Sequence, residues 1–87
     1  MVKKYEGHND FVHSVVFNYN SKFIASGSRD KNVILWDTFA FGKSILRVFK
    51  GHEGCVNKVM FSINGKLLYS CSNDKTIRIW YVDRNKD

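Results

Sequence analysis

The 87-residue chain has no proline, two cysteines and six glycines. Cys55 and Cys71 are too few for a disulfide framework and read as ordinary free thiols. No apolar run is long enough to span a bilayer, so no membrane segment is expected. Met1-Val2-Lys3-Lys4 leads into polar sequence rather than a signal peptide, which implies an intracellular site, cytoplasm or nucleus. A glycine-rich phosphate loop is missing. His8, His13, His52, Cys55 and Cys71 lack the close spacing of metal ligands, so neither metal nor cofactor is expected. Convincing helical periodicity is absent throughout.

What is present is apolar and basic. A hydrophobic content of 44%, with 15% aromatics, is too rich for a disordered segment. A chain this short buries only about 60% of its unfolded surface, so its stability is expected to be marginal. Fourteen Lys+Arg against eight Asp+Glu give a formal charge of +6. Lysines at 3, 4, 22, 31, 43, 50, 58, 66, 75 and 86 are dispersed, with no basic block. A solvated surface is the favoured reading of that charge, and a nucleic-acid or acidic partner the weaker one.

Shifting the sequence by 44 aligns it with itself without a gap. Between Gly7 and Asp37, 12 of 31 positions are identical to their counterparts, where chance gives roughly two for ordinary composition. The matches include Gly7-His8 with Gly51-His52, Val12 with Val56, Val15 with Val59, Phe17 with Phe61, Asp30-Lys31 with Asp74-Lys75 and Trp36 with Trp80. One structural unit has been used twice.

The unit reads as β-structure. Its short runs are rich in Val, Ile, Phe and Trp: Val12 to Phe17, Phe23 to Ala25 and Val33 to Trp36, then Val56 to Phe61, Leu67 to Tyr69 and Thr76 to Trp80. Asn64-Gly65 is a strong hairpin signal and Asn20-Ser21 a weaker counterpart. Further turns are expected at Arg29 to Asn32 and Asn73 to Thr76. Outer strands are expected at 44–49 and 2–5, and a polar tail at 83–87. Each unit is thus a four-stranded antiparallel meander.

A period of about 44 with Gly-His near one end and Trp-Asp at the other resembles the WD-repeat family. The resemblance covers nearly the whole chain, 1–87, with repeats at 7–38 and 51–82. Gly7-His8, Asp30 and Trp36-Asp37 match fully, whereas the second copy has Tyr81 where the family favours Asp. It implies an all-β fold: two four-stranded β-propeller blades, a partial propeller. It also implies a hydrogen-bonded tetrad in each blade: His8, Ser26, Asp30 and Trp36, then His52, Ser70, Asp74 and Trp80. A buried Trp N–H needs an acceptor and a buried Asp needs donors, so such a chain is physically reasonable.

Asp, His and Ser also compose a hydrolase triad, but that reading fails. The set occurs twice, Ser26 lies in Ala-Ser-Gly-Ser rather than at a nucleophile elbow, and a Ser engaged with Trp is a poor nucleophile. No enzymatic activity is expected. The family instead implies a protein-interaction scaffold that binds proteins or peptides around the central channel. Carried over by position, the contact residues are Phe11, His13 and Arg29, with Cys55, Asn57 and Asn73 in the second repeat.

Val15-Val16-Phe17, Val33 to Trp36 and Leu67-Leu68-Tyr69 do not alternate apolar with polar, which implies sheets covered on both faces. Two blades packed together cover only two of four faces. Further blades are therefore expected as partners, from the rest of a longer chain or from head-to-tail self-association into a ring.

Overall fold

The computed structural model describes residues 3–18, 21–39 and 44–82. It contains seven strands: β1 Val12–Phe17, β2 Phe23–Ser28, β3 Asn32–Asp37, β4 Ile45–Lys50, β5 Val56–Phe61, β6 Leu67–Ser72 and β7 Ile77–Tyr81. They form two antiparallel meanders, β1-β2-β3-β4 and β5-β6-β7.

Local chemistry makes the turns. Gly65 takes φ 74°, in the left-handed region that glycine adopts without strain, and its N–H closes the turn on the Ser62 carbonyl at 2.9 Å. Asn64 supports it, its Oδ1 accepting the Lys66 N–H at 3.0 Å. Ser21 plays the corresponding part at φ 60°, while Asn20 lies outside the described residues. In the next hairpins Lys31 and Lys75 carry positive φ. The preceding Asp makes this tolerable: Asp30 Oδ1 accepts the Asn32 N–H, and Asp74 Oδ1 the Thr76 N–H, each at 2.9 Å.

Three expectations need correction. The second sheet has three strands among the described residues, not four; the tail at 83–87 lies outside them. Lys3 to Tyr5 belong to no strand, and Val2 is outside the described residues. Among the described residues no strand lies beside this segment to pair with it. Tyr5 instead sets its ring edge-on to Trp36, with centroids 5.4 Å apart. Phe49 occupies the same position in the repeat and packs on Trp80 at 5.1 Å. Finally, β2 and β6 run three residues beyond their apolar cores, to Ser28 and Ser72. Hydrophobicity stops at Ala25 and Tyr69, but the ladder continues through Gly27↔Val33 and Cys71↔Ile77.

The core lies between the sheets. One face of the first sheet contributes Ala25, Val33, Leu35 and Phe49; the second contributes Val56, Val59 and Leu68. Gly27 allows the close approach. A methyl group there would sit 2.6 Å from Val56 Cγ1 and 3.1 Å from Val59 Cγ1. Ser14 Oγ accepts the Val59 N–H at 3.1 Å, and Arg47 Nη1 donates to the Tyr81 carbonyl at 3.1 Å. The opposite face of the first sheet holds a smaller cluster of Ile24, Ile34 and Trp36, flanked by Tyr5 and Ile45.

Candidate functional site

Each repeat brings its Gly-His segment, its Asp turn and its Trp strand to one hydrogen-bonded chain. In the first sheet the Trp36 indole N–H donates to Ser26 Oγ at 2.7 Å. Ser26 Oγ lies 2.7 Å from His8 Nε2, and His8 Nδ1 lies 2.9 Å from Asp30 Oδ2. In the second, Trp80 donates to Ser70 Oγ at 2.9 Å, Ser70 Oγ is 2.7 Å from His52 Nε2, and His52 Nδ1 is 2.9 Å from Asp74 Oδ2. Donor bookkeeping assigns the tautomer. Each Ser accepts from Trp, so its own hydroxyl proton goes to His Nε2, and the neutral imidazole donates from Nδ1 to the carboxylate. Every member of the chain is then satisfied.

This geometry works against nucleophilic chemistry. The hydroxyl is committed on both sides, and Ser70 is fully buried. The His is already donating to Asp, but no substrate-accessible oxygen completes a triad. No group of three or more His, Cys, Asp or Glu able to hold a metal ion occurs among the described residues.

The carboxylates do more than hold the His. Asp30 Oδ2 also accepts the Asn9 N–H, and Asp74 Oδ2 the Glu53 N–H, each at 2.9 Å. Burial works to raise the Asp30 pKa, but the Asn9 and Asn32 amides and the His8 ring outweigh it and hold it below the ordinary carboxylate value. Asp74 is driven well below that value, most strongly by the Thr76 hydroxyl, with help from the Glu53 amide and His52. Both charged forms are therefore stabilised by folding. Their contribution is complete above the unfolded carboxylate pKa, about 4, and is lost as pH falls through the depressed folded values. Circular dichroism melts across a pH series should show Tm insensitive to these groups near neutrality and falling below about pH 4. Asp74→Asn should lower the neutral Tm and weaken that acid dependence; an unchanged acid profile would count against this role.

Two serines outside the expected set complete the region. Ser28 is fully buried; its hydroxyl donates to the Phe11 carbonyl at 2.8 Å and accepts the Asp30 N–H at 3.0 Å. Ser72 likewise accepts the Asp74 N–H at 3.1 Å. Both belong to the repeat identities, which is the signal that marks them. Thr76, which hydrogen-bonds Asp74, carries no such signal because its counterpart is Asn32.

The six candidate contact residues fall into local groups. Phe11 is 67% exposed, and the Arg29 guanidinium lies over its ring at 5.1 Å. Asp10, unmarked in the sequence, holds Arg29 by an ion pair at 3.3 Å. The backbones are joined too, since the Arg29 N–H donates to the Phe11 carbonyl at 2.9 Å. The second sheet repeats this pairing with Asn73 N–H donating to the Cys55 carbonyl at 2.9 Å. Its side chains differ: Asn57 Nδ2 donates to Asn73 Oδ1 at 2.6 Å, and Cys55 is half-buried. His13 and Asn57 are exposed at the bulges between Val12 and Ser14 and between Val56 and Lys58. A bulge re-aims a side chain away from the strand's alternation.

Two antiparallel meanders, each locked by an identical Trp-Ser-His-Asp chain, define a repeat protein of the β class. The family model for the WD domain, G-beta repeat, matches residues 1–37 and 43–81, and the chain belongs to the WD40 repeat family. It is similar to the transcriptional repressor rco-1 of Neurospora crassa, 47% identical over 36 residues, 41% of this chain and 6% of that protein. It is also similar to the general transcriptional corepressor TUP1 of Saccharomyces cerevisiae, 52% identical over 33 residues, 38% of this chain and 5% of that protein. The chain thus matches only a small part of the length of these curated relatives.

Proposed function

We propose that this chain is a non-catalytic protein-interaction scaffold, built as blades of a β-propeller, that contacts a protein or peptide through the Phe11–Arg29 surface. The observation that carries the reading is the exposed Phe11 ring with the Arg29 guanidinium stacked over it and Asp10 holding that guanidinium in place. A pre-ordered aromatic with an adjacent Arg loses little side-chain entropy on binding and matches the composition of interface hot spots. The His, Ser, Asp and Trp chains then serve the scaffold rather than the ligand. The lysines are dispersed along the sequence with no basic block, which favours a protein partner over a nucleic acid. Family membership and the two relatives, a transcriptional repressor and a corepressor by name, support a scaffold acting inside the cell, in the nucleus or cytoplasm.

The test is a pull-down comparing the chain with a Phe11→Ala/Arg29→Ala variant, each checked for folding by tryptophan fluorescence. Loss of a partner by a folded variant is expected, with an affinity drop of roughly 10- to 100-fold for a hot-spot pair. A folded variant that retains every partner removes this surface from consideration.

A further inference from the structure

Several positions of the repeat are buried in one sheet and exposed in the other. On the face carrying the Trp-Ser-His-Asp chain, Val59 is 3% exposed but its counterpart Val15 is 58% exposed. Val56 is buried there and its counterpart Val12 exposed, and Phe17 is 57% exposed where Phe61 is half-buried, whereas Leu68 and its counterpart Ile24 are both buried. On the other face, Leu35 is 1% exposed but its counterpart Ile79 is 60% exposed. Val33 is buried, while Ile77 and Tyr81 are not. Of these, Val56, Val59 and Leu68 meet Val33 and Leu35 between the two sheets. The chain therefore displays, on opposite sides, both halves of an interface it already contains.

The first sheet's open side is also hollow. A depression of about 150 Å³ is lined by Tyr5, His8, Val12, Val15, Ile24, Ser26 and Trp36. In the second sheet the corresponding valines, Val56 and Val59, lie against Gly27 of the first. The second sheet's edge strand β7 borders an open groove of about 490 Å³ with Arg47, Phe49 and Trp80. Phe49 sits across from Val33 in the β3–β4 ladder and stacks on Trp80 of the next sheet. Tyr5 already makes the Trp36 contact that matches Phe49 on Trp80. Ile77 is the counterpart of Val33, and among the described residues no strand pairs with β7 on that side, where the Tyr5 segment of another molecule would lie.

We propose that a second copy of this chain docks head to tail, the β7 side of one molecule covering the Val12–Val15–Phe17 side of the next. The partner is set by continuity with the interface inside the chain, repeated by the same 44-residue relation. The contact is heterologous, so it must close into a ring to be finite. The copy-to-copy interface is not an exact duplicate: Tyr69 and Cys71 stand where Ala25 and Gly27 are. These larger groups hold the sheets further apart, so association between molecules is looser than packing within one.

Size-exclusion chromatography with light scattering, over a concentration series of the 87-residue chain, should give about three or four times the monomer mass, the rings that yield six or eight blades. A folded chain that stays monomeric at every concentration overturns the proposal, including the case in which it binds other WD repeats instead. Val15→Asp and Ile79→Asp each block one side at an exposed position. Each alone should be monomeric, and a one-to-one mixture should form a dimer and nothing larger, because only one intact pair of faces remains. Failure of the folded variants to pair overturns the head-to-tail arrangement.

A crosslink keeps the test decisive if those variants unfold. A Cβ on Gly27 would lie 3.3 Å from Val56 Cβ, near the spacing a disulfide needs, about 3.5–4.5 Å. The corresponding pair between molecules is Cys71 and Val12. Val12→Cys in a Cys55→Ser background should give a ladder of disulfide-linked multimers on non-reducing gels under mild oxidation. Absence of that ladder overturns the proposal.

Discussion

Gly27→Val is expected to destabilise the chain by roughly 2–3 kcal/mol, the upper part of the range for overpacking a tight core. The reason is local and steric. The first atom of any side chain at this position would sit 2.6 Å from Val56 Cγ1 and 3.3 Å from Val56 Cβ. Val56 is fully buried and β-branched, so it has no free rotamer with which to retreat. The clash must be relieved by separating β2 from β5, which opens the cluster of Ala25, Val33, Leu35, Val59 and Leu68. In a domain this small each kcal/mol lowers Tm by about 4–8 °C. Thermal melts should therefore show a fall of roughly 10–20 °C. Adding Val56→Ala should recover part of it by removing the opposing methyls. Wild-type stability in Gly27→Val, or no recovery in the double variant, would show that the sheets do not meet there.

Ser70→Ala should cost a similar amount for a different reason. The hydroxyl accepts from the Trp80 indole and lies 2.7 Å from His52 Nε2. Removing it leaves a donor and an acceptor unpaired around a fully buried site. An unsatisfied buried group costs about 1–3 kcal/mol, so leaving both unpaired gives roughly 2–6 kcal/mol in total. Ser70→Thr retains a hydroxyl and should be milder. Chemical denaturation of the three proteins measures this directly. Equal stabilities for Ser70→Ala and the parent chain would show that the Trp-Ser-His-Asp chain is incidental.

Much of this molecule is legible in its amino-acid sequence. The shift of 44 shows that one unit is used twice, and the apolar runs locate β1 and β5 to the residue. Asn64-Gly65 marks a hairpin because glycine tolerates positive φ. The strand ends are less legible. Ser26-Gly27-Ser28 looks like loop by composition, yet it completes β2, since its backbone is paired and its hydroxyls find partners within the fold. The segment at 3–5 departs from expectation for the converse reason. Its composition suits a strand, but a strand exists only where another edge is present to pair with it.

The candidate surface divides in the same way. Phe11 and Arg29 are separated by 18 positions, and only the β1–β2 pairing brings ring and guanidinium together. Asp10 acquires its role from that meeting. Asn57 and Asn73, both exposed, are joined only by the β5–β6 pairing, Asn57 Nδ2 donating to Asn73 Oδ1.

The sequence by itself determined the repeat, the β class, the WD-repeat resemblance and the identity of the His, Ser, Asp and Trp set. The repeat and the β class are properties of local pattern, period and turn chemistry, and the His, Ser, Asp and Trp set is what the resemblance implies. Only the tertiary structure decided which face of each sheet is covered. Val15 and Val59 are the same residue in the same place of the same repeat, and one is exposed while the other is buried. Burial depends on what lies across from a residue, and no local pattern carries that information.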